Sequence, residues 1–263
     1  MVDEDRHQHE EEGIPARRAR GGGVGHGAGV SARGPFSQTK LCMAGRRGLA
    51  GGRESCDFAL MAGELPITRI PAAAEKAEAI RCAVRLATEM GGSRLARMED
   101  AAGLFALLSD PAVHAPIYTL PRPLTERSVE DFIETHILER EVGIGLLFVR
   151  EGENGQIMGY SDVQVWPEFA AGELGGALHP SLHGQGSGAR GAAASFAWMF
   201  EGLGLDLLCE TAALDNVATQ RLLDGLGFTR MGEVTSLRAD GTSRASLVWE
   251  MTRADWDARH GKV

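Results

Sequence analysis

From residue 93 onward the apolar positions recur with two alternating periods. The run SRLARM (93–98) predicts a short strand, and residues 99–110 set Leu104, Leu107 and Leu108 at helical steps. Residues 126–143 predict a longer helix with Val129, Phe132, Ile133, His136 and Ile137 on one face. Residues 145–151 and 156–166 read as strands joined by a Gly-Glu-Asn-Gly turn, and a third strand over 170–179 follows Pro167. Upstream, residues 72–90 predict a helix whose face is Ala73, Ala77, Ile80, Val84 and Ala87. Pro71 suits its first turn, Gly91-Gly92 stop it, and so much alanine predicts weak packing.

The second half changes rhythm. Residues 180–204 form a glycine-rich loop that runs into a helix with Ala193, Phe196, Ala197 and Phe200 inward. A buried strand is predicted over 205–212, then a helix over 215–227 with Asp215 or Asn216 as N-cap and Gly227 at its end. Two strands, 228–237 and 243–253, flank a hinge at 239–242 whose Asp-Gly is a hairpin signal. Antiparallel strands first and helix crossovers later predict an α/β fold on a mixed, mostly antiparallel central sheet with flanking helices.

Residues 1–60 break the pattern. Six glycines fall between Gly21 and Gly29, and large apolar side chains are few, so this stretch cannot bury enough area to offset chain entropy. A disordered Gly/Arg-rich extension over 1–60, a linker holding one helix over 61–92 and a folded domain over 93–260 are the expected divisions. The arginines of the extension suit RNA or ribosome docking; a translation start at Met61 or Met90 is the alternative.

Charge narrows the partners. The chain carries a net −9, and residues 93–263 hold 14 Lys and Arg against 24 Asp and Glu. A domain this acidic argues against phosphate-backbone binding and favours cationic partners such as amines. The four cysteines, Cys42, Cys56, Cys82 and Cys209, have no metal-ligand spacing, which suits reduced thiols in the cytoplasm. No stretch reaches the ~20 apolar residues that span a bilayer.

Candidate chemistry concentrates in His183-Gly184-Gln185-Gly186-Ser187-Gly188-Ala189, directly ahead of a helix. Alternating glycines allow close backbone approach, and a helix start offers free N–H groups and a positive dipole end, together a seat for a pyrophosphate. Residues 186–191 also fit G-x-G-x-x-G, with Glu210 near the place of a ribose-binding acid. Only about 50 residues follow Glu210, too few for the remaining units of a dinucleotide fold.

The run from Glu173 to Glu233 decides between these readings. It holds a Glu-containing strand, a Pro, the glycine loop, Asn216-x-x-Thr219 at a helix start and a Leu226-Gly227-Phe228 exit. In that order and spacing it resembles the GNAT N-acetyltransferase superfamily, most of all the RimJ/RimL-like ribosomal-protein branch, and SLVWEMTRADW (246–256) is similar to that branch's ending. The resemblance implies a sheet with a splayed strand pair and acetyl-CoA as co-substrate. Gln185, Gly186, Ser187, Gly188 and Ala189 would cradle the pyrophosphate, and Leu178 and Asn216 would hold the pantetheine arm.

Glu173 would be the general base and Thr219 a proton donor to the departing sulfur, with no metal. The acceptor would be a primary amine, either a peptide N-terminus or a small molecule such as a polyamine or aminoglycoside, in a pocket near Ile117, Tyr118, Trp166 and Thr235. A monomer or homodimer is expected. There are departures. Leu223 stands where many relatives carry a tyrosine acid, and Gly176 where the branch often has an aromatic, which would open the acceptor cleft. The lost tyrosine leaves open a catalytically weak, CoA-binding regulatory module.

Overall fold

The computed structural model describes residues 65–117, 119–184, 186–237 and 242–261; the glycine-rich stretch over 1–60, Tyr118, Gln185 and most of the 239–242 hinge lie outside them. Eight strands form one sheet in the order β1-β2-β3-β4-β5-β6-β8-β7. They are β1 (Glu89–Met90), β2 (Ser93–Leu95), β3 (Gly145–Glu151), β4 (Ile157–Trp166), β5 (Ala171–Leu178), β6 (Leu207–Ala213), β7 (Thr229–Leu237) and β8 (Ser243–Thr252). Every neighbouring pair is antiparallel except β5 with β6.

The described residues form seven α-helices: α1 (Ala74–Leu86), α2 (Ala101–Leu108), α3 (Pro111–His114), α4 (Glu126–Val142), α5 (Ser187–Glu201), α6 (Val217–Leu226) and α7 (Arg253–His260). None is long and apolar enough to cross a membrane. Strand alternation sorts the core into two layers. Leu146, Phe148, Val163, Val165 and Leu208 pack with α1, α5, α6 and α7, through Ile80, Phe196, Met199, Phe200, Leu223 and Trp256. Leu147, Val149 and Tyr160 pack with α2 and α4, through Leu104, Leu108, Val129 and Ile133.

The caps explain the boundaries. Thr125 accepts the Ser128 N–H and Ser128 returns the bond, a capping box that starts α4, and Gly143 ends it in the left-handed region at φ 81°. Asn216 caps α6 by accepting the Thr219 N–H at 3.2 Å, so it, and not Asp215, is the N-cap.

Three expectations fail for physical reasons. The helix expected over 72–90 stops at Leu86, and Glu89–Met90 pairs with Ser93 and Arg94 across Gly91 and Gly92. Both glycines have positive φ, 57° and 81°, which a tight turn demands and a helix stop does not distinguish. That helix also packs more firmly than its alanines suggest, because Ile80 and Val84 are wholly inside the larger core. Ile137 lies at the edge of the α4 stripe and is 37% exposed, and Glu139 takes the inward place instead. Helix α7 was not foreseen: Trp256 is its one buried side chain, too few for a periodic signal.

Candidate active site

Strands β5 and β6 run parallel but pair at only two positions, Ala171 with Leu207 and Gly172 with Leu208. Beyond them the strands part. The next backbone donor on that edge, the Leu174 N–H, bonds the Glu210 carboxyl at 2.9 Å in place of a neighbouring carbonyl. Glu210 thus acts as a wedge at the apex of the gap. It is 5% exposed, and burial together with the nearby Glu173 carboxylate pushes its carboxyl well above the usual range.

By two-residue alternation, the backbone groups of Gly176 and Leu178 face the gap as Leu174 does. The Leu178 carbonyl accepts from His183 Nε2 at 2.9 Å, tying the glycine loop back to the end of β5. Gly176 sits at φ 148°, and a Cβ there would lie 2.4 Å from the Tyr160 carbonyl oxygen. The backbone at this point rejects any side chain, so its glycine serves the β4–β5 junction and not only the openness of the cleft.

Glu173 lies on the opposite face of the sheet from Glu210. The Thr211 hydroxyl donates to Glu173 Oε1 at 2.7 Å. Glu173 is half-buried, directly after the last rung between the two strands. Burial pushes it up to about 7, with the Asp162 carboxylate adding to the rise and the Thr211 hydroxyl opposing it. A carboxyl so placed is an acid and a base near neutral pH.

Because β5 and β6 are parallel, the segments leaving both strands start at the same end of the sheet, the usual place for ligands in such sheets. After β5, Gly184 and Gly186 take φ 74° and 68°, turning the chain so that Ser187 opens α5. No atom of the described residues lies within 4 Å of a Cβ placed on Gly184 or Gly188, so the helix start is open to a ligand. Gly186, Gly188 and Ala189 are exposed. After β6, Asn216 and Thr219 sit half-buried in the first turn of α6. An open pocket of about 890 Å³ lies between Leu214–Ala218, Ala115–Pro116 and Arg244–Ala245.

The structure therefore brings Leu178, Gly184, the residues 186–189, Asn216 and Thr219 to the open end of the parted strand pair, while Glu173 stands at its closed end, directly after the last rung. Of the expected pocket residues, Ile117 packs against the α2–α4 core, while Trp166 pairs opposite Ala171 at the closed end of the gap. Four partners were not foreseen. They are Thr211 and Glu210 on β6, Asp162 on β4, and His136, read only as part of an apolar helix face. The available signal was polar residues at inward positions of apolar strands and helices, which must find partners.

Leu223 is 1% exposed inside the larger core, so the place of the tyrosine acid is filled by packing.

No curated protein matches the chain. Solved structures do match its fold. Ribosomal-protein-S5-alanine acetyltransferase from Vibrio fischeri is 20% identical, with a TM-score of 0.54 over 64% of this chain and 97% of that one. RimJ from Mycobacterium smegmatis, solved with CoA-disulfide, is 20% identical, with 0.54 over 62% and 82%. The spermidine/spermine N-acetyltransferase SpeG from Vibrio cholerae is 16% identical, with 0.52 over 64% and 96%. A sequence profile described as acetyltransferase (GNAT) domain matches residues 94–229, which takes in β5, the parted strands, the glycine loop and α6. With more than half of the sequence so matched, around a sheet that opens where the motif lies, the chain belongs to the GNAT acetyltransferase family.

Proposed function

We propose that the protein transfers the acetyl group of acetyl-CoA to a primary amine by direct attack, with Glu173 as general base. The observation that carries this reading is the parting of β5 from β6 after Gly172 and Leu208, with Glu173 the first β5 residue past the last rung. The gap fits an extended, amide-bearing arm: β5 turns the Gly176 backbone and the Leu178 N–H toward it, while His183 holds the Leu178 carbonyl. The helix start at Gly186–Ala189, open at Gly188 and with the Arg190 guanidinium beside Gly186, fits the pyrophosphate at the arm's other end.

Bound acetyl-CoA would supply the acetyl thioester; the chain's residues do the rest. Amides of the β5 edge polarise the thioester carbonyl. Glu173 accepts a proton from the amine as its nitrogen bonds to the acetyl carbon, and the C–S bond breaks. The thiolate leaves hydrogen-bonded to the Thr219 hydroxyl and takes its proton from water, which that hydroxyl relays and which restores the threonine proton. Asn216 keeps its side-chain NH2 for the arm, because the helix cap uses only its carbonyl oxygen.

A peptide α-amine and a small polyamine both suit an acidic domain, and the structural relatives include proteins named for each. The test is calorimetry with CoA, then CoA release with alanine-initiated peptides and spermidine as acceptors. No heat with CoA sinks the reading. Binding without turnover of any amine supports instead a regulatory module, consistent with the packed Leu223.

A further inference from the structure

His136 is 2% exposed in the middle of α4, and both ring nitrogens are engaged. Nδ1 lies 2.8 Å from the Phe132 carbonyl oxygen and Nε2 lies 2.9 Å from Asp162 Oδ1. A carbonyl oxygen only accepts, so Nδ1 carries a hydrogen. The contact with Asp162 then needs one further proton, on Nε2 or on the carboxyl. Either way the two side chains together hold one shared proton and no net charge.

Asp162 leads to the reacting end of the sheet. It pairs opposite Gly175, while Gln164 pairs opposite Glu173, so Asp162 and Glu173 are diagonal neighbours on one face. Gly175 puts no side chain between them; a Cβ there would lie 3.5 Å from Asp162 Cβ.

We propose that His136 is a positioning residue for the reaction: by sharing a proton with Asp162 it offsets that carboxylate's charge behind Glu173, so that Glu173 is ready to accept the amine proton. This rests on Glu173 as the base.

The surroundings make this pair decisive for the local charge. On α4 itself, Glu139 Oε2 is 3.8 Å from His136 Nε2. Strand β4 adds Tyr160, whose hydroxyl burial pushes above its usual range. Strand β6 adds Cys209 and Glu210, and β8 adds Glu250. Helix α2 contributes only Ala, Gly, Leu and Phe, and from α1 the backbone of Arg81 abuts the C-terminal end of α4 at Gly143. Among these groups His136 is the one that shares a proton with Asp162. Losing its proton would add negative charge one diagonal step from Glu173.

The test is NMR of the full chain with 15N-histidine and 13C-carboxyl glutamate labels, which needs no acceptor. Glu173→Gln identifies the Glu173 signal. In the parent protein His136 should show a protonated Nδ1 and no titration between about pH 5 and 8. His136→Gln should raise the Glu173 midpoint by about one pH unit, and Asp162→Asn should lower it by a similar amount. A merely structural pair would not move the midpoint in opposite directions.

A His136 protonated only on Nε2, or an unmoved Glu173 midpoint in both variants, overturns the proposal. The parent spectrum alone decides the first point if a variant fails to fold. Full CoA release by Glu173→Gln would instead refute the base, whatever the NMR shows, so the two failures are distinguishable.

Discussion

Replacing Glu173 with Gln tests the electrostatics of the cleft without changing its shape. The amide copies a neutral carboxyl and still accepts the Thr211 hydroxyl. In the folded protein the carboxyl is pushed from its ordinary 4.5 up to about 7. Between those values the folded chain keeps a proton that the unfolded chain releases. The stabilisation from that proton is complete below the lower value and is lost as pH rises through the upper one.

At about 1.4 kcal/mol per pH unit the loss is about 3 kcal/mol, trimmed toward ~2 kcal/mol by solvent at the half-exposed head. The Gln variant has no such loss. Its stability should match the parent near about pH 4.5 and exceed it by ~2–3 kcal/mol at about pH 8, measured by urea unfolding across that range. Glu210 loses the neighbouring Glu173 charge in the variant, so its carboxyl rises less there, a change that adds to the variant's advantage at high pH. Parallel stability curves would refute the reasoning. The same variant should lose about 10²–10⁴-fold in acetyl transfer, because an amide cannot take the amine proton.

Other substitutions separate binding from folding. A Cβ at Gly188 points into open space, so the melting temperature of Gly188→Glu should stay within about 2 °C of the parent; its charge at the helix start should weaken CoA binding at least tenfold, about 1.4 kcal/mol by calorimetry. Asn216→Ala should lose the helix cap, about 1 kcal/mol, as well as CoA affinity, whereas Asn216→Asp should keep the cap and lose the affinity alone. Gly176→Ala forces a Cβ against the Tyr160 carbonyl at a φ of 148°, and thermal unfolding should show a loss of about 2 kcal/mol or more.

Much of the sheet was legible in the sequence because its strands alternate cleanly and its turns carry glycine. The glycine loop and the Asn216 cap were legible because their residue types have few other uses at those spacings. The wedge at Glu210 was not. A buried carboxyl whose partner is a backbone N–H 36 residues earlier leaves no local pattern. The His136–Asp162 pair, 26 residues apart, was hidden similarly: each looked like one polar residue out of place until β4 and α4 were packed together. Strand β1 failed because two residues cannot show a period, and the Gly-Gly that follows fits a helix end as well as a hairpin.

Only two backbone rungs join the halves of the eight-stranded sheet, one half ending at Leu178 and the other starting at Leu207. An extended tail lying along the β5 edge would supply the missing rungs and act as a borrowed strand. The protein's largest structural element is then finished by its own reactant, and the amides of Gly176 and Leu178 should exchange with deuterium fast alone and slowly with CoA bound.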